Sequence, residues 1–276
     1  MGMNLDAIKS KLASLQNQKQ NTQKKDRTLT LWKPTIGKHT VRIVPAVWDR
    51  SNPFKEVLFH YDIGNRTMIS LVNFNEKDPI VEFSKQLTLM GDKENWVMGK
   101  KLEPKMRVFA PVIVRGEEEK GVRLWEFGKQ IYSELLSLAD DPDVGDYTDV
   151  IEGRDFTIET TGPETNGTSF NQSKIRVKTK TSALSDSAAE VEKWMNNQPN
   201  PLAIYTKYSY DEMKETLLAW LHPETEESTD ETTKQEATVA APAKQTPATP
   251  ASKVLSVSTP KKKASVDEEF DELFGN

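Results

Sequence analysis

The sequence predicts a mainly β chain with flanking helices, an α+β fold. Three observations carry this: apolar residues alternate from Thr28 to about Lys180, helical spacing brackets that stretch, and the residues after His222 are polar and rich in Pro, Thr and Ala. Leu5, Ile8, Leu12 and Leu15 lie at helical spacing with Lys9, Lys11 and Lys19 on other faces, which predicts a short amphipathic helix over residues 4–18. A helix of about four turns is marginal alone and needs a surface to dock on. A polar connector follows from Gln16 and ends in Lys24, Lys25, Asp26 and Arg27, so residues 1–27 read as a basic N-terminal arm.

Alternation then predicts strands at Leu29–Trp32, Thr40–Pro45, Val57–Ile63, Met106–Arg115, Val122–Phe127, Phe156–Thr160 and Lys174–Lys180. Gly116 to Gly121 closes one hairpin and Gly162 to Gly167 another, with the glycines that tight reversals require. Ile131, Leu135 and Leu138 share one face and predict a helix over Lys129–Ala139. Two more helices follow at Ser185–Met195 and Tyr210–Leu221, the second with Ser209 and Glu212 placed as a capping box. A barrel of about five strands with an inserted helix resembles an oligonucleotide-binding (OB) fold, although periodicity alone also fits a sandwich. The expected organisation is an arm over 1–27, a core over 28–222, and a disordered linker with an acidic tip over 223–276.

Composition limits the functions. Hydrophobic residues make up 36% and charged residues 29%, and no stretch approaches the roughly 20 apolar residues of a membrane span. The first apolar residues are too interrupted for a signal core, so an intracellular protein without membrane contact is expected. There are no cysteines and three histidines, which removes disulfides, thiol nucleophiles and thiolate metal sites. The net charge of −5 conceals an asymmetry: residues 1–129 carry 23 Lys and Arg against 15 Asp and Glu, whereas residues 130–222 carry 8 against 16.

No phosphate-binding glycine loop, nucleophile elbow or His-Glu-x-x-His occurs, so a binding protein rather than an enzyme is expected, with no cofactor; a carboxylate-only metal nuclease is the enzymatic alternative. What stands out is cations interleaved with aromatics. Single-stranded nucleic acid is held by cations that follow phosphates and rings that stack on bases. The candidate cations are Lys38, Arg42, Lys100, Lys101, Lys105, Arg107, Arg115, Arg123, Lys129 and Lys174, and the candidate rings are Trp96, Phe109, Trp125, Tyr132 and Phe170. Arg123, Trp125 and Phe127 share one strand face, as do Arg107 and Phe109, and an apolar core disfavours arginine. Strand aromatics more often pack inside, and Trp32 and Phe127 are the expected core members, whereas Phe170 in a hairpin is the expected stacking ring.

Three short motifs occur in a telling order. Val122-Arg-Leu-Trp-Glu-Phe-Gly-Lys-Gln-Ile-Tyr132 is a strand that runs through Phe-Gly-Lys into a helix, His39-Thr-Val-Arg-Ile-Val-Pro45 is a long strand with Arg42 at its basic position, and Ser169-Phe-Asn-Gln-Ser-Lys174 is an aromatic hairpin. Over most of residues 5–180 and at the acidic end, the chain resembles the gene-32 single-stranded-DNA-binding proteins of T-even-like bacteriophages. Lys105, Arg107 and Phe109 fall on that family's basic-aromatic strand, with Val108 in place of an aromatic. The resemblance implies cooperative, sequence-independent coating of single-stranded DNA in phage replication, recombination and repair, within the host cytoplasm. It implies self-association through the N-terminal arm. It also implies recruitment of phage replication and recombination proteins through Asp267, Glu268, Glu269, Phe270, Asp271, Glu272, Leu273 and Phe274. An RNA-binding translational regulator on the same barrel and a virion assembly protein are the alternatives.

The family's zinc, held by one His and three Cys, has no counterpart here: His60 matches the His position, but residues 61–100 hold neither Cys nor His. Zinc is therefore expected to be absent. The segment Ile63–Met98 is expected to be held by Ile69, Leu71, Phe74, Phe83 and Leu87 instead.

Overall fold

A computed structural model describes residues 27–222, with side chains from Leu29, together with Val266, Phe270, Leu273 and Phe274. The expected arm helix, the linker and the acidic side chains of the tip lie outside the described residues. The described chain is mixed α/β and divides into a sheet unit and a helical unit.

The sheet unit comprises residues 27–61, 66–76 and 104–208. Its strands are β1 (Leu31–Trp32), β2 (Gly37–Ile43), β3 (Lys55–Ile63), β4 (Arg66–Ile69), β5 (Lys105–Val114), β6 (Arg123–Phe127), β7 (Arg154–Thr161) and β8 (Gln172–Thr181). They form one eight-stranded sheet in the order β1-β6-β5-β2-β7-β8, with β3 paired to β4 and β5. Only β1 and β6 pair in parallel among the ladders with assigned register. A helical turn, α1 (Arg27–Thr30), precedes β1, so the expected strand from Leu29 begins two residues late. Both expected hairpins form: β5 and β6 join through Gly116–Gly121, and β7 and β8 through Gly162–Gly167.

Strand β5 explains much of the core. It pairs with β2, β3 and β6, and its side chains leave both faces of the sheet. Val108, Ala110, Val112 and Val114 enter a cluster with Val41, Ile43, Trp125, Phe127, Phe156 and Ile158. Phe109 enters a second cluster with Val57, Phe59, Ile69 and Leu124. From Val108 to Val114, where both faces are covered, every residue of β5 is buried, whatever its alternation. Helix α4 (Lys129–Ala139) closes the first cluster with Leu135, whose carbonyl accepts a hydrogen bond from the Tyr147 hydroxyl at 3.0 Å. Helix α6 (Ala188–Asn196) puts Trp194 against Val44, Ile113 and Leu184.

The helical unit comprises residues 62–65, 77–103 and the chain from Ser209 onward. Its helices are α2 (Pro79–Leu89), α3 (Lys93–Leu102) and α7 (Tyr210–Leu221), counting the short α5 (Pro163–Asn166) of the sheet unit. Asp78 caps α2 by accepting from the amides of Ile80 and Val81, Pro79 supplies a preset first turn, and Asp92 caps α3 from Glu94 and Asn95. Ile80, Phe83, Ser84 and Leu87 form the buried stripe of α2. Gly99 lets α3 lie close on α2: a Cβ there would sit 2.8 Å from the Ser84 carbonyl, while the Ser84 hydroxyl donates to the Gly99 carbonyl at 2.8 Å. Helix α7 starts with the expected capping box of Ser209 and Glu212 and buries Met213 and Leu217.

The segment Ile63–Met98 is thus not one body. Ile69, Leu71 and Phe74 belong to the sheet unit, and Phe83 and Leu87 to the helical unit. Local sequence could not show this, because α7 lies far along the chain from the helices it joins.

Candidate nucleic-acid interface

The outermost strand β8 carries Lys174, Arg176, Lys178 and Lys180, all exposed, while Ile175 turns into the core. Alternation puts Lys174 and Arg176 in one row, opposite in sense to Ile175, and the register shift between Arg154 and Phe156 interrupts that alternation before it reaches Lys180. Register extends the row across the sheet: Lys38 of β2 stands opposite Glu159 of β7, which stands opposite Lys174. Lys38 pairs with Glu159 at 3.6 Å. In the connection before β8, Phe170 is 62% exposed, and its carbonyl accepts from the Asn166 amide at 3.0 Å and the Thr168 hydroxyl at 2.8 Å. The backbone is anchored while the ring faces solvent. Three of the four β8 cations escaped the sequence reading, although Lys-x-Arg-x-Lys-x-Lys is a period-two signal that could have found them.

A second group lies along β3 and β5. Lys105 is exposed, and Arg107 is 44% exposed on its side chain. The Arg107 Nε donates to the Tyr61 hydroxyl at 3.4 Å, its guanidinium stands 5.9 Å from the Tyr61 ring centre, and Glu126 lies at 3.8 Å. The bond to Tyr61 raises the Arg107 pKa, and burial raises that of the Tyr61 phenol. Tyr61 also lines a cleft of about 580 Å³ with Lys33, Phe59, Glu126 and Tyr205. The cleft combines cation and ring, the pair of features that single strands require. Tyr61, Lys33 and Tyr205 were missed because they stand apart in sequence and meet only through β1, β3 and the chain before α7.

Five of the expected ligand-contacting residues face inward. Arg42 is fully buried: Nε donates to Asp155 Oδ1 at 2.8 Å, and one terminal nitrogen donates to the Ser182 hydroxyl at 2.7 Å and carbonyl at 3.0 Å. Burial lowers its pKa, and Asp155 offsets part of that. Arg123 is 94% buried and donates to Glu117 at 2.6 Å. Phe109 and Trp125 are core residues. Arg115, partly buried, is engaged by Asp155 at 3.0 Å and by the Leu184 carbonyl at 2.8 Å. The premise that a core repels arginine fails here because Arg42 and Arg115 are given the Asp155 carboxylate and backbone carbonyls, and Arg123 reaches the Glu117 carboxylate.

The remaining candidates are accessible to differing degrees. Lys129 is exposed at the start of α4, and Tyr132 is half-buried, edge-on to Phe54 at 5.4 Å between ring centres. On the helical unit, Lys100 pairs with Glu103 at 2.6 Å and lies over Trp96, which is 48% exposed, while Lys101 lies over Trp220.

Among the described residues, no group of three His, Asp or Glu side chains is arranged to hold a metal ion, and no helix is long and apolar enough to cross a membrane. In the sheet unit, β8 gives an open, basic surface beside the exposed Phe170 ring, and β3 borders a cleft lined by cations and rings. No protein-family profile matches the chain, and no curated protein matches it.

Proposed function

We propose that this chain binds single-stranded DNA without sequence preference through an OB-type sheet unit, coating exposed strands in phage replication and recombination without covalent chemistry. The observation that carries the reading is the run of exposed cations Lys174, Arg176, Lys178 and Lys180 along one outer strand, with the exposed Phe170 ring just before it. Cations in a row track a phosphate backbone, and a ring accepts the face of any base, so the pair favours single strands over duplex and gives no sequence code. Lysine on an outer strand also discourages sheet-to-sheet pairing. That role accounts for charge but not for a solvent-facing phenylalanine.

In this reading the basic arm mediates contact between neighbouring copies on DNA, and the acidic tip recruits replication proteins and competes with DNA for cations. The test is a fluorescence titration with poly(dT), poly(U) and a duplex of equal length, repeated over a range of salt. Tight poly(dT) binding whose logarithm falls steeply with log salt is expected. Equal affinity for duplex, or a flat salt response, overturns the proposal. Preference for poly(U) transfers it to RNA.

A further inference from the structure

Val266, Phe270, Leu273 and Phe274 are spaced i, i+4, i+7 and i+8, the apolar stripe of a helix, and all four are helical. In sequence they are interleaved with Asp267, Glu268, Glu269, Asp271 and Glu272. The stripe is not free. Val266 and Phe270 are buried, and the Phe83 ring of α2 meets Phe270 at 5.6 Å and Phe274 at 6.5 Å between centres. Tyr210 of α7 meets Phe274 at 6.3 Å, and its hydroxyl donates to Glu82 of α2 at 2.7 Å. Lys214, one turn further along α7, donates to the Phe274 carbonyl at 2.9 Å and stands 5.0 Å from that ring's centre. A cation at this end of a helical segment also suits its negative dipole end.

We infer that the face of α2 and α7 around Phe83, Tyr210 and Lys214 is a receptor for a short acidic helix with paired phenylalanines. Its resident occupant is the chain's own C-terminal segment. Phe83 is fully buried, and the rings packed on it include those two from the far end of the sequence. Roughly forty residues separate α7 from Val266, a contour of well over 100 Å, so reach imposes no constraint. A tether of this length works at an effective concentration of the order of millimolar. An intrinsically weak contact is then populated within one molecule and still yields to a competitor.

The consequence for function rests on the partner role proposed above. The stripe that would grip a replication protein is the stripe held by α2 and α7, so docking at home and engagement of a partner exclude each other. The docking itself does not depend on that reading, and the two fail separately.

The test uses a fluorescent peptide of residues 264–276 and the full-length chain. In wild type the resident segment blocks the receptor. In the Phe270→Ala, Phe274→Ala double variant the receptor is vacated, and the peptide is expected to bind at least about tenfold more tightly than to wild type. Adding Phe83→Ala to the double variant is expected to abolish that gain. If it compromises folding, Lys214→Glu on the α7 surface serves instead and is expected to weaken the peptide by repulsion. Equal peptide affinity for wild type and the double variant overturns the inference. So does amide protection of residues 266–274 that rises with protein concentration, since the occupant would then come from a second copy.

Discussion

Asp155 joins two arginines: its carboxylate accepts from Arg42 at 2.8 Å and from Arg115 at 3.0 Å, although the three residues lie on β2, β7 and just after β5. The same guanidinium groups bind the carbonyls of Ser182 and Leu184, so the cluster fixes the chain leaving β8. Asp155→Ala leaves the buried Arg42 without its carboxylate, and a loss of about 3–5 kcal/mol in unfolding free energy is expected. Arg42→Ala is expected to cost less, because Asp155 keeps Arg115. Chemical denaturation of the two variants checks the order. Neither is expected to change the DNA affinity of the folded protein at fixed salt, which a direct phosphate contact by Arg42 would contradict.

Glu117 and Arg123 form a second internal pair at 2.6 Å, with Arg123 buried and its Nε lacking a hydrogen-bond partner. Lys120 and then Arg123 hold the Glu117 carboxyl below its ordinary value of 4.5. A depressed carboxyl contributes stability that is complete above its unfolded value and is lost as pH falls through the lower folded value. Wild type is therefore expected to lose more stability than Glu117→Gln on acidification below about pH 4.5, and to exceed it in stability at pH 7. The contribution is modest, since Glu117 is substantially solvated. Parallel acid titration of the two denaturation midpoints would contradict the pairing.

Local pattern made every strand but β4, the hairpins, α4 and the cap of α7 legible, because alternation, glycine turns and a Ser-x-x-Glu box are written within a few residues. Trp32 and Phe127 read correctly as core, and Phe170 as exposed. Phe109, Trp125 and Arg123 did not, since alternation reveals which residues share a face and not whether that face is covered. Strand β5 is covered on both sides by segments over fifty residues apart. Arg42 misled for a related reason: its acceptors, Asp155 and Ser182, arrive from β7 and beyond β8. The docking of Phe270 and Phe274 on Phe83 joins the tip of the chain to a helix near the start of the core, a relation that no periodicity encodes.

Phe170 and Trp125 are expected to separate binding from folding. Trp125 is 1% exposed and meets Phe127 at 4.5 Å between ring centres, so Trp125→Ala is expected to destabilise by about 3–5 kcal/mol. Phe170→Ala removes a ring that faces solvent, and its stability cost is expected to be within about 0.5 kcal/mol. Its affinity for poly(dT) is expected to fall by about 1–3 kcal/mol with little change in salt slope, because stacking releases no counterions. Unchanged affinity would remove Phe170 from the interface.

The run of cations on β8 makes the most direct electrostatic prediction. If Lys174, Arg176, Lys178 and Lys180 each neutralise a phosphate, replacing any one with Gln is expected to lessen the slope of log affinity against log salt by about 0.7. The loss is expected to be the same for every base sequence, since phosphate contacts carry no base information. Glu159 tests the same field with the opposite sign. It stands between Lys38 and Lys174 in register, 46% exposed, and pairs with Lys38 at 3.6 Å. A carboxylate there repels a passing phosphate and occupies a cation that could meet one. Glu159→Gln is therefore expected to tighten binding and steepen the salt slope, most clearly below 0.1 M salt, where the Debye length exceeds about 10 Å and surface charges are least screened. Lysines that serve only to keep an outer strand unpaired would leave both slopes unmoved, whereas opposite shifts in the Lys174→Gln and Glu159→Gln variants follow only when nucleic acid lies along this face.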